Sequence, residues 1–260
     1  MRVIVTRPPA QAAAWVVQLQ ALGVEAVALP LIGIAPVDDP APLQAAWRQL
    51  AGTDLVMFVS ANAVAHFFAQ RPAALPWPAG TRAGSTGPGT SAALREAGLA
   101  AAQIVEPAAD AATFDSEALW ALLAHEDWAG RQVLVVRGEN GRGWFAETLR
   151  SRAAQVEFVA AYRRLPPQLD GAGQALIATA LAAPAAHLWL FSSSEAVAHL
   201  RRLVPAADWS GARAVASHPR IAHSAREAGF GRVDELPPSP AAVALLVRSL
   251  QSPSIQSAPL

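Results

Sequence analysis

Two stretches decide the fold. Leu55–Phe68 reads LVMFVSANAVAHFF, and Leu188–Leu203 reads LWLFSSSEAVAHLRRL. Setting Phe58 on Phe191 brings Ser60 onto Ser193 and Ala63-Val64-Ala65-His66 onto Ala196-Val197-Ala198-His199. Each stretch is a short apolar run, then hydroxyl or amide residues, then an amphipathic pattern. That order predicts a strand, a capped turn and a helix. Further along, Arg82–Leu99 (RAGSTGPGTSAALREAGL) aligns without a gap on Arg213–Phe230 (RAVASHPRIAHSAREAGF). Pro88 then meets Pro219, and Arg95-Glu96-Ala97-Gly98 meets Arg226-Glu227-Ala228-Gly229. Towards the start of each half, Val3-Ile4-Val5-Thr6-Arg7 resembles Val133-Leu134-Val135-Val136-Arg137. Likewise Val24-Glu25-Ala26-Val27 resembles Val156-Glu157-Phe158-Val159. Three matches in the same order, at a nearly constant offset, read as an internal duplication.

Each half therefore carries one plan, strands alternating with helices. In the first helix Trp15, Leu19 and Leu22 recur on one face. Alternation of this kind implies parallel sheets with right-handed crossovers, hence two α/β lobes. Leu29–Pro40 and Phe158–Pro167 hold prolines around apolar residues and read as extended connectors at equivalent places in the two halves. They suggest two strands crossing between the lobes together. The Ser/Pro/Gln-rich tail, 251–260, reads as disordered.

Composition narrows the chemistry. The chain is 53% hydrophobic and only 15% charged, which fits a packed globular protein and not a disordered one. Its net charge is +0, so no basic face for nucleic acid is expected. All 20 basic residues are Arg; without Lys there is no Schiff base, no lysine-bound pyridoxal phosphate and no Walker-type phosphate lysine. Cys 0 excludes disulfides, thiolate catalysis and cysteine metal sites. The six His show no HExxH spacing, so no metal site is expected. The start runs directly into the strand-like Arg2-Val3-Ile4-Val5 without a signal-type apolar region. The longest apolar stretch, Ala178–Phe191, is broken by Pro184 and His187. A soluble cytoplasmic protein with no membrane partner is expected, and a monomer, since no heptad or long apolar edge stands out.

Ligands of open α/β sheets bind beyond the carboxyl ends of the strands. The junctions there are chemically alike: Thr6-Arg7-Pro8-Pro9, Ser60-Ala61-Asn62, Gly87-Pro88-Gly89-Thr90, Arg137-Gly138-Glu139-Asn140-Gly141-Arg142, Ser192-Ser193-Ser194-Glu195 and Ser217-His218-Pro219-Arg220. Hydroxyl, amide and glycine residues at helix starts leave backbone N–H groups for anions, but any single junction reads as a simple cap before it reads as a site. Ser192 with Glu195 fits a capping box. Together, with Arg at three of them, the junctions suit a ligand bearing many carboxylates in a cleft between lobes. Gly87-Pro88-Gly89 lacks the third glycine of a dinucleotide fingerprint, and no GxSxG elbow is present. His66 and His199 read as structural, and Asp38-Asp39 and Glu126-Asp127 as solvated loop acids. The single tyrosine, Tyr162, lies in the second connector, where a phenol faces the cleft or simply packs.

Several of these segments resemble the uroporphyrinogen-III synthase family. They are Val5-Thr6-Arg7-Pro8, Phe58-Val59-Ser60-Ala61-Asn62-Ala63-Val64, Gly87-Pro88-Gly89-Thr90, Ser116-Glu117-Ala118-Leu119, Arg137-Gly138, Tyr162-Arg163-Arg164 and Phe191-Ser192-Ser193-Ser194-Glu195-Ala196-Val197. No one motif is diagnostic; the ordered set, running over residues 2–248, carries the resemblance. It implies two flavodoxin-like lobes joined by a two-stranded ladder, residues 1–35 with 167–250 in one and 38–160 in the other. Each lobe would exchange its first β-α unit with the other repeat. The resemblance also implies a hydro-lyase that closes hydroxymethylbilane, a linear tetrapyrrole with eight carboxylate arms, to uroporphyrinogen III with ring D inverted, using no cofactor. Tyr162 would be the general acid, and Thr90 would bind a carboxylate arm. Ser60, Ala61, Asn62, Ser116, Gly138, Ser193 and Ser194 would offer anion sites, and Arg7, Arg137 and Arg142 charge-assisted contacts. The chain departs from the family at Ser217-His218-Pro219-Arg220, where many members carry a threonine turn; Arg220 would be the substitute anion contact there. A two-lobed polycarboxylate-binding module without catalysis, or a glycosyltransferase of two α/β lobes, would share the architecture. The second would show a stronger nucleotide site and a catalytic carboxylate at a strand end.

Overall fold

The structure, a computed structural model, describes residues 1–108, 110–111, 113–139 and 143–251. Its contacts divide the chain into two compact units: Met1–Gly33 with the chain from Leu165 onward, and Ile34–Arg164.

The first unit holds β1 (Arg2–Val5), α1 (Pro9–Ala21) and β2 (Ala26–Ala28). The chain returns to it through α7 (Gly171–Ala182), β9 (His187–Phe191), α8 (Ser194–Leu203), β10 (Arg213–Ala216), α9 (Pro219–Glu227), β11 (Arg232–Glu235) and α10 (Pro240–Gln251). Its sheet has the order β11-β10-β9-β1-β2, with every recorded pair parallel. The second unit holds β3 (Gly33–Pro36), α2 (Ala41–Gln49), β4 (Leu55–Phe58), α3 (Ala61–Ala69), β5 (Arg82–Ser85), α4 (Pro88–Glu96), β6 (Ile104–Val105), α5 (Ser116–Leu123), β7 (Gln132–Gly138), α6 (Trp144–Ser151) and β8 (Gln155–Leu165). Its sheet has the order β3-β8-β7-β4-β5-β6.

These orders display the duplication and its exchange. Numbered by place in the repeat, with β7 and β8 equivalent to β1 and β2, the strands β2-β1-β9-β10-β11 and β8-β7-β4-β5-β6 both follow the flavodoxin-like order 2-1-3-4-5. The first strand of the chain, β1, pairs with β9 of the second half, and β7 pairs back onto β4 of the first. The chain passes from one unit to the other at Gly33/Ile34 and at Arg164/Leu165, within β3 and β8, which are neighbours in the six-stranded sheet. Near that passage Arg163 donates through Nε to the Pro36 carbonyl at 3.1 Å and pairs with Asp38 at 2.7 Å. Asp38 is a solvated acid as expected, its side chain 79% exposed, and it also pairs with Arg163.

Both faces of each sheet are covered, so the central strands read as unbroken apolar runs. In β4, Val56 and Phe58 point into a core with Trp47, Val64, Phe67 and Leu94 from α2, α3 and α4. Leu55 and Met57 point the other way, to Leu119, Leu123, Phe145 and Leu149 of α5 and α6. Burying one such side chain contributes about 1.5–3 kcal/mol, so this alternation fixes register as well as stability. In the five-stranded sheet Val3, Val5, Leu188 and Leu190 pack on one side with Leu19 and Val247. Trp189 and Phe191 meet Trp209 and Phe230 in an aromatic cluster. Among the described residues no helix is long and apolar enough to cross a membrane. Gln251, placed in the tail from sequence, is the last residue of α10; 252–260 lie outside the described residues.

Candidate functional site

In the second unit the strand order reverses between β7 and β4, and the carboxyl ends of these two strands face the ligand side of such a sheet. Ser60 follows β4 as the N-cap of α3. Its extended backbone lets Oγ accept the Ala63 amide at 3.2 Å, so the sequence Ser-Ala-Asn-Ala starts the helix as a cap should. Ala61 and Asn62 form the first turn, ahead of the first intrahelical bond from Val64 N to Ser60 O.

Tyr162 reaches the same point from β8. It is only 1% exposed, and its Oη lies 3.2 Å from Ser60 Oγ. The register of β7 against β8 slips between Arg137 and Gly138, which sets Gly138 opposite Tyr162. A Cβ on Gly138 would stand 3.1 Å from Tyr162 Cε2 and 3.2 Å from Cζ. Glycine at 138 therefore lets the phenol lie over the end of β7 without being pushed aside. The His66 ring stacks on Tyr162 with centroids 6.0 Å apart and planes 29° apart. Burial pushes the His66 pKa below its ordinary value, so the imidazole facing Tyr162 is neutral at pH 7.

The next junction adjoins this one. Thr86 Oγ1 donates to the Val59 carbonyl at 3.3 Å. Ser91 donates to Ser85 at 2.8 Å, and Ser85 to the Gly87 carbonyl at 2.9 Å, which fastens the start of α4. Thr90 sits in that first turn and is buried. Phe114 packs on Gly87, and Asp115 caps α5 by accepting the Ala118 amide at 2.8 Å. Ser116 is thus the first helical residue of α5, and the capping oxygen belongs to Asp115.

Arg137 turns out otherwise than its place in the motif suggests. Its guanidinium lies 4.2 Å over the Phe158 ring, and Phe158 packs with the core on the face of the sheet away from Tyr162. Strand alternation sends Val136 and Arg137 to opposite faces. Asn140, Gly141 and Arg142 lie outside the described residues.

In the first unit the reversal falls between β1 and β9. Thr6 Oγ1 donates to the Leu190 carbonyl at 2.7 Å, tying the two strand ends together. Arg7 follows, with its guanidinium 4.5 Å over Trp15 and Nη1 donating to Gln11 at 3.3 Å. Its Nε is buried with no hydrogen-bond partner among the described residues. Burial brings the Arg7 pKa down to about 10, which leaves it charged at neutral pH. Ser193, and not Ser192, caps α8: its Oγ accepts the Glu195 amide at 3.2 Å, so the capping box expected from Ser192 does not start the helix. Ser194 donates to the Arg220 carbonyl at 3.4 Å, which brings the α8 and α9 starts together. His218 caps α9, its Nδ1 accepting the Arg220 amide at 3.1 Å. His218 stands where the first half of the repeat has Gly87, and Arg220 is exposed in the first turn.

The two histidines of the repeat part company. His199 is buried, with Nδ1 2.6 Å from the Leu31 carbonyl, and is structural. His66 faces Tyr162. The two partners come from equivalent connectors, but His199 meets a backbone carbonyl at Leu31 and His66 meets a phenol that the first connector lacks, so the shared repeat position hid the difference. Glu126 also departs from expectation: it receives both Nη atoms of Arg82, at 2.8 and 2.7 Å, and one of Arg131. Among the described residues no group of three or more His, Asp or Glu is placed to hold a metal ion.

Two sheets of order 2-1-3-4-5, each with capped helix starts along its carboxyl edge and one bearing a buried phenol, define a duplicated flavodoxin-like α/β protein with polar ligand edges. Residues 13–245 match the family model described as uroporphyrinogen-III synthase HemD. The chain is 33% identical over 177 residues to the uroporphyrinogen-III synthase of Salmonella typhimurium, an overlap covering 68% of this chain and 70% of that one. The chain belongs to the uroporphyrinogen-III synthase family. A mutant uroporphyrinogen III synthase from Thermus thermophilus shares the fold at TM-score 0.59 and 21% identity, over 96% of this chain and 99% of that one. The uroporphyrinogen-III synthetase of Helicobacter pylori does so at TM-score 0.55 and 16% identity, over 96% and 100%.

Proposed function

We propose that this chain is a lyase that converts hydroxymethylbilane to uroporphyrinogen III, with loss of water and inversion of ring D. The observation that carries the reading is the Tyr162 phenol, 1% exposed and 3.2 Å from the Ser60 hydroxyl at the sheet's reversal point, in a chain of this family. Tyr162 gives its proton to the hydroxymethyl oxygen, the C–O bond breaks, and water leaves an azafulvene cation. Ring D attacks through its substituted carbon to form a spiro intermediate. That intermediate fragments and recloses with ring D turned over, and loss of the ring-carbon proton restores aromaticity. A proton returned to the phenolate resets Tyr162, so the reaction is balanced.

The bilane also closes unaided to the other isomer, so the enzyme's larger task is to hold the chain folded for attack at the substituted carbon. Helix starts at Ser60-Ala61-Asn62 and Ser193-Ser194 offer backbone amides to the substrate's carboxylates, and Thr90 its hydroxyl. Arg7, with its desolvated guanidinium, and Arg220 add charge. Ser116 and Gly138 lie beside the same edge and shape it. Arg137 reaches a carboxylate only by leaving Phe158, so it ranks behind the others. We further place the protein in the cytoplasm as a monomer, its two units serving as the two lobes of one enzyme.

The test is isomer analysis. Purified protein is mixed with fresh hydroxymethylbilane without added metal or cofactor, and the oxidised porphyrins are separated. A large excess of isomer III over an enzyme-free control is expected. Isomer I alone, from folded protein at several pH values, would show a polycarboxylate-binding module and not a cyclase.

A further inference from the structure

We propose that Ser60 is a positioning residue for Tyr162, relaying the positive end of α3 to the phenol oxygen through a chain of hydrogen bonds. The inference rests on the reading of Tyr162 as the proton donor.

A serine hydroxyl has one proton and two acceptor sites. Ser60 Oγ accepts the Ala63 amide at 3.2 Å, which orients its lone pair along the axis of α3. Its own proton then needs an acceptor, and among the described residues Tyr162 Oη, at 3.2 Å, is the side-chain atom in reach. The direction that satisfies all three groups is Ala63 N–H to Ser60 Oγ, Ser60 O–H to Tyr162 Oη, leaving the phenol proton free to be given away. Hydrogen bonds in series polarise one another, and this series begins at a helix N-terminus, where the backbone carries partial positive charge. As Tyr162 loses its proton, negative charge grows on Oη. The Ser60 O–H is already aimed at that charge, so its bond strengthens in the transition state more than in the ground state.

The surroundings fix the geometry the relay needs. Gly138 and the His66 ring both pack against the phenol, and the hydrogen bond to Oη comes from Ser60. The repeat sharpens the argument. Ser193 holds the equivalent place in the first unit and also caps its helix, but the tyrosine is single. Capping alone therefore accounts for Ser193, whereas Ser60 caps and also meets a phenol.

The experiment uses the full chain grown on tyrosine carrying carbon-13 at Cζ. With one tyrosine in the sequence, one resonance reports on the Tyr162 C–O bond. Ser60→Ala, Ser60→Gly and Ser60→Thr are compared with the unaltered protein. Glycine caps a helix nearly as well as serine but has no hydroxyl, so Ser60→Gly separates the relay from the cap. We expect the resonance to move in Ser60→Ala and Ser60→Gly and to stay in place in Ser60→Thr. We expect kcat to fall about tenfold in the first two, the equivalent of one lost hydrogen bond, with KM within about twofold. Threonine should restore the rate. A resonance unmoved in Ser60→Gly, or a Ser60→Gly protein that turns over like the unaltered one, would overturn the relay. If the unaltered protein itself makes no isomer III while the resonance still moves, the cyclase reading has failed and the hydrogen bond stands.

Discussion

Gly138→Ala puts the close approach of strand and phenol to the test. The added Cβ would lie 3.1 Å from Tyr162 Cε2 and 3.2 Å from Cζ. Carbon atoms rest at about 3.5–4.0 Å, so the ring must retreat by roughly 0.3–0.5 Å. Tyr162 is 1% exposed and packs in one core with Phe58 and Val136, so little free space receives it. Overpacking of this kind costs about 1–3 kcal/mol. The functional effect is larger than that figure suggests. The Ser60 to Tyr162 separation of 3.2 Å is already beyond the usual range of about 2.5–3.0 Å for hydroxyl pairs, so a shift of the ring that carries Oη away from Ser60 breaks it. Because an error of about 1 Å in a reacting group can cost about a hundredfold, the smaller shift here should lower kcat about tenfold. Urea unfolding gives the stability change, and initial rates on hydroxymethylbilane give kcat. A variant within about 0.5 kcal/mol of the unaltered protein and with unchanged kcat would refute the idea that Gly138 is there for Tyr162.

Two further predictions concern stability. Ala153 follows α6 with φ 60, while Gly23 follows α1 at φ 77, and both helices close by bonding the next amide back to the last turn (Ala154 N to Leu149 O, Val24 N to Leu19 O). Alanine is strained in that region, so Ala153→Gly should stabilise by about 0.5–1 kcal/mol after glycine's greater unfolded-state freedom is counted; a loss of stability in urea would contradict it. Hydrogen bonding from Arg82 holds the Glu126 carboxyl below its ordinary pKa, helped by the charges of Arg82 and Arg131 and opposed by partial burial. A depressed carboxyl contributes stability that is present above the unfolded value of about 4.3 and is lost as pH falls through the folded one. Glu126→Gln should therefore be less stable at pH 7 and lose less on acidification, as read by melting temperature between pH 7 and pH 3.

How far the sequence could be read depended on the range of the interaction. The duplication was legible because both halves keep the same apolar runs and helix starts, Leu55–Phe58 against Leu188–Phe191 and Pro88 against Pro219. The exchange of first strands was not, since β1 pairing with β9 leaves no mark in either segment; it entered through the family resemblance. Local caps were half legible. Ser60 stands alone before its helix, but Ser192-Ser193-Ser194 offers three oxygens and only the backbone turn selects Ser193. Asp115 outcompetes Ser116 in the same way. The packing of Arg137 over Phe158 could not be read from the motif, and neither could the slip in register that sets Gly138 opposite Tyr162, because no residue pattern announces either. The contact of Ser60 with Tyr162 joins β4 and β8 across β7, so it depends on sheet order and could not be seen from spacing.

The most direct measurement is the rate of isomer III formation by Tyr162→Phe beside the unaltered protein, together with the affinity of each for uroporphyrinogen III. Phenylalanine keeps the ring and removes the proton. The account predicts kcat down by about a hundredfold or more, with product affinity within a few-fold, because general acid catalysis contributes about 10²–10⁴ and the ring still fills its place. Equal losses of rate and affinity, or a rate left intact, would show that Tyr162 only packs and that the proton comes from elsewhere.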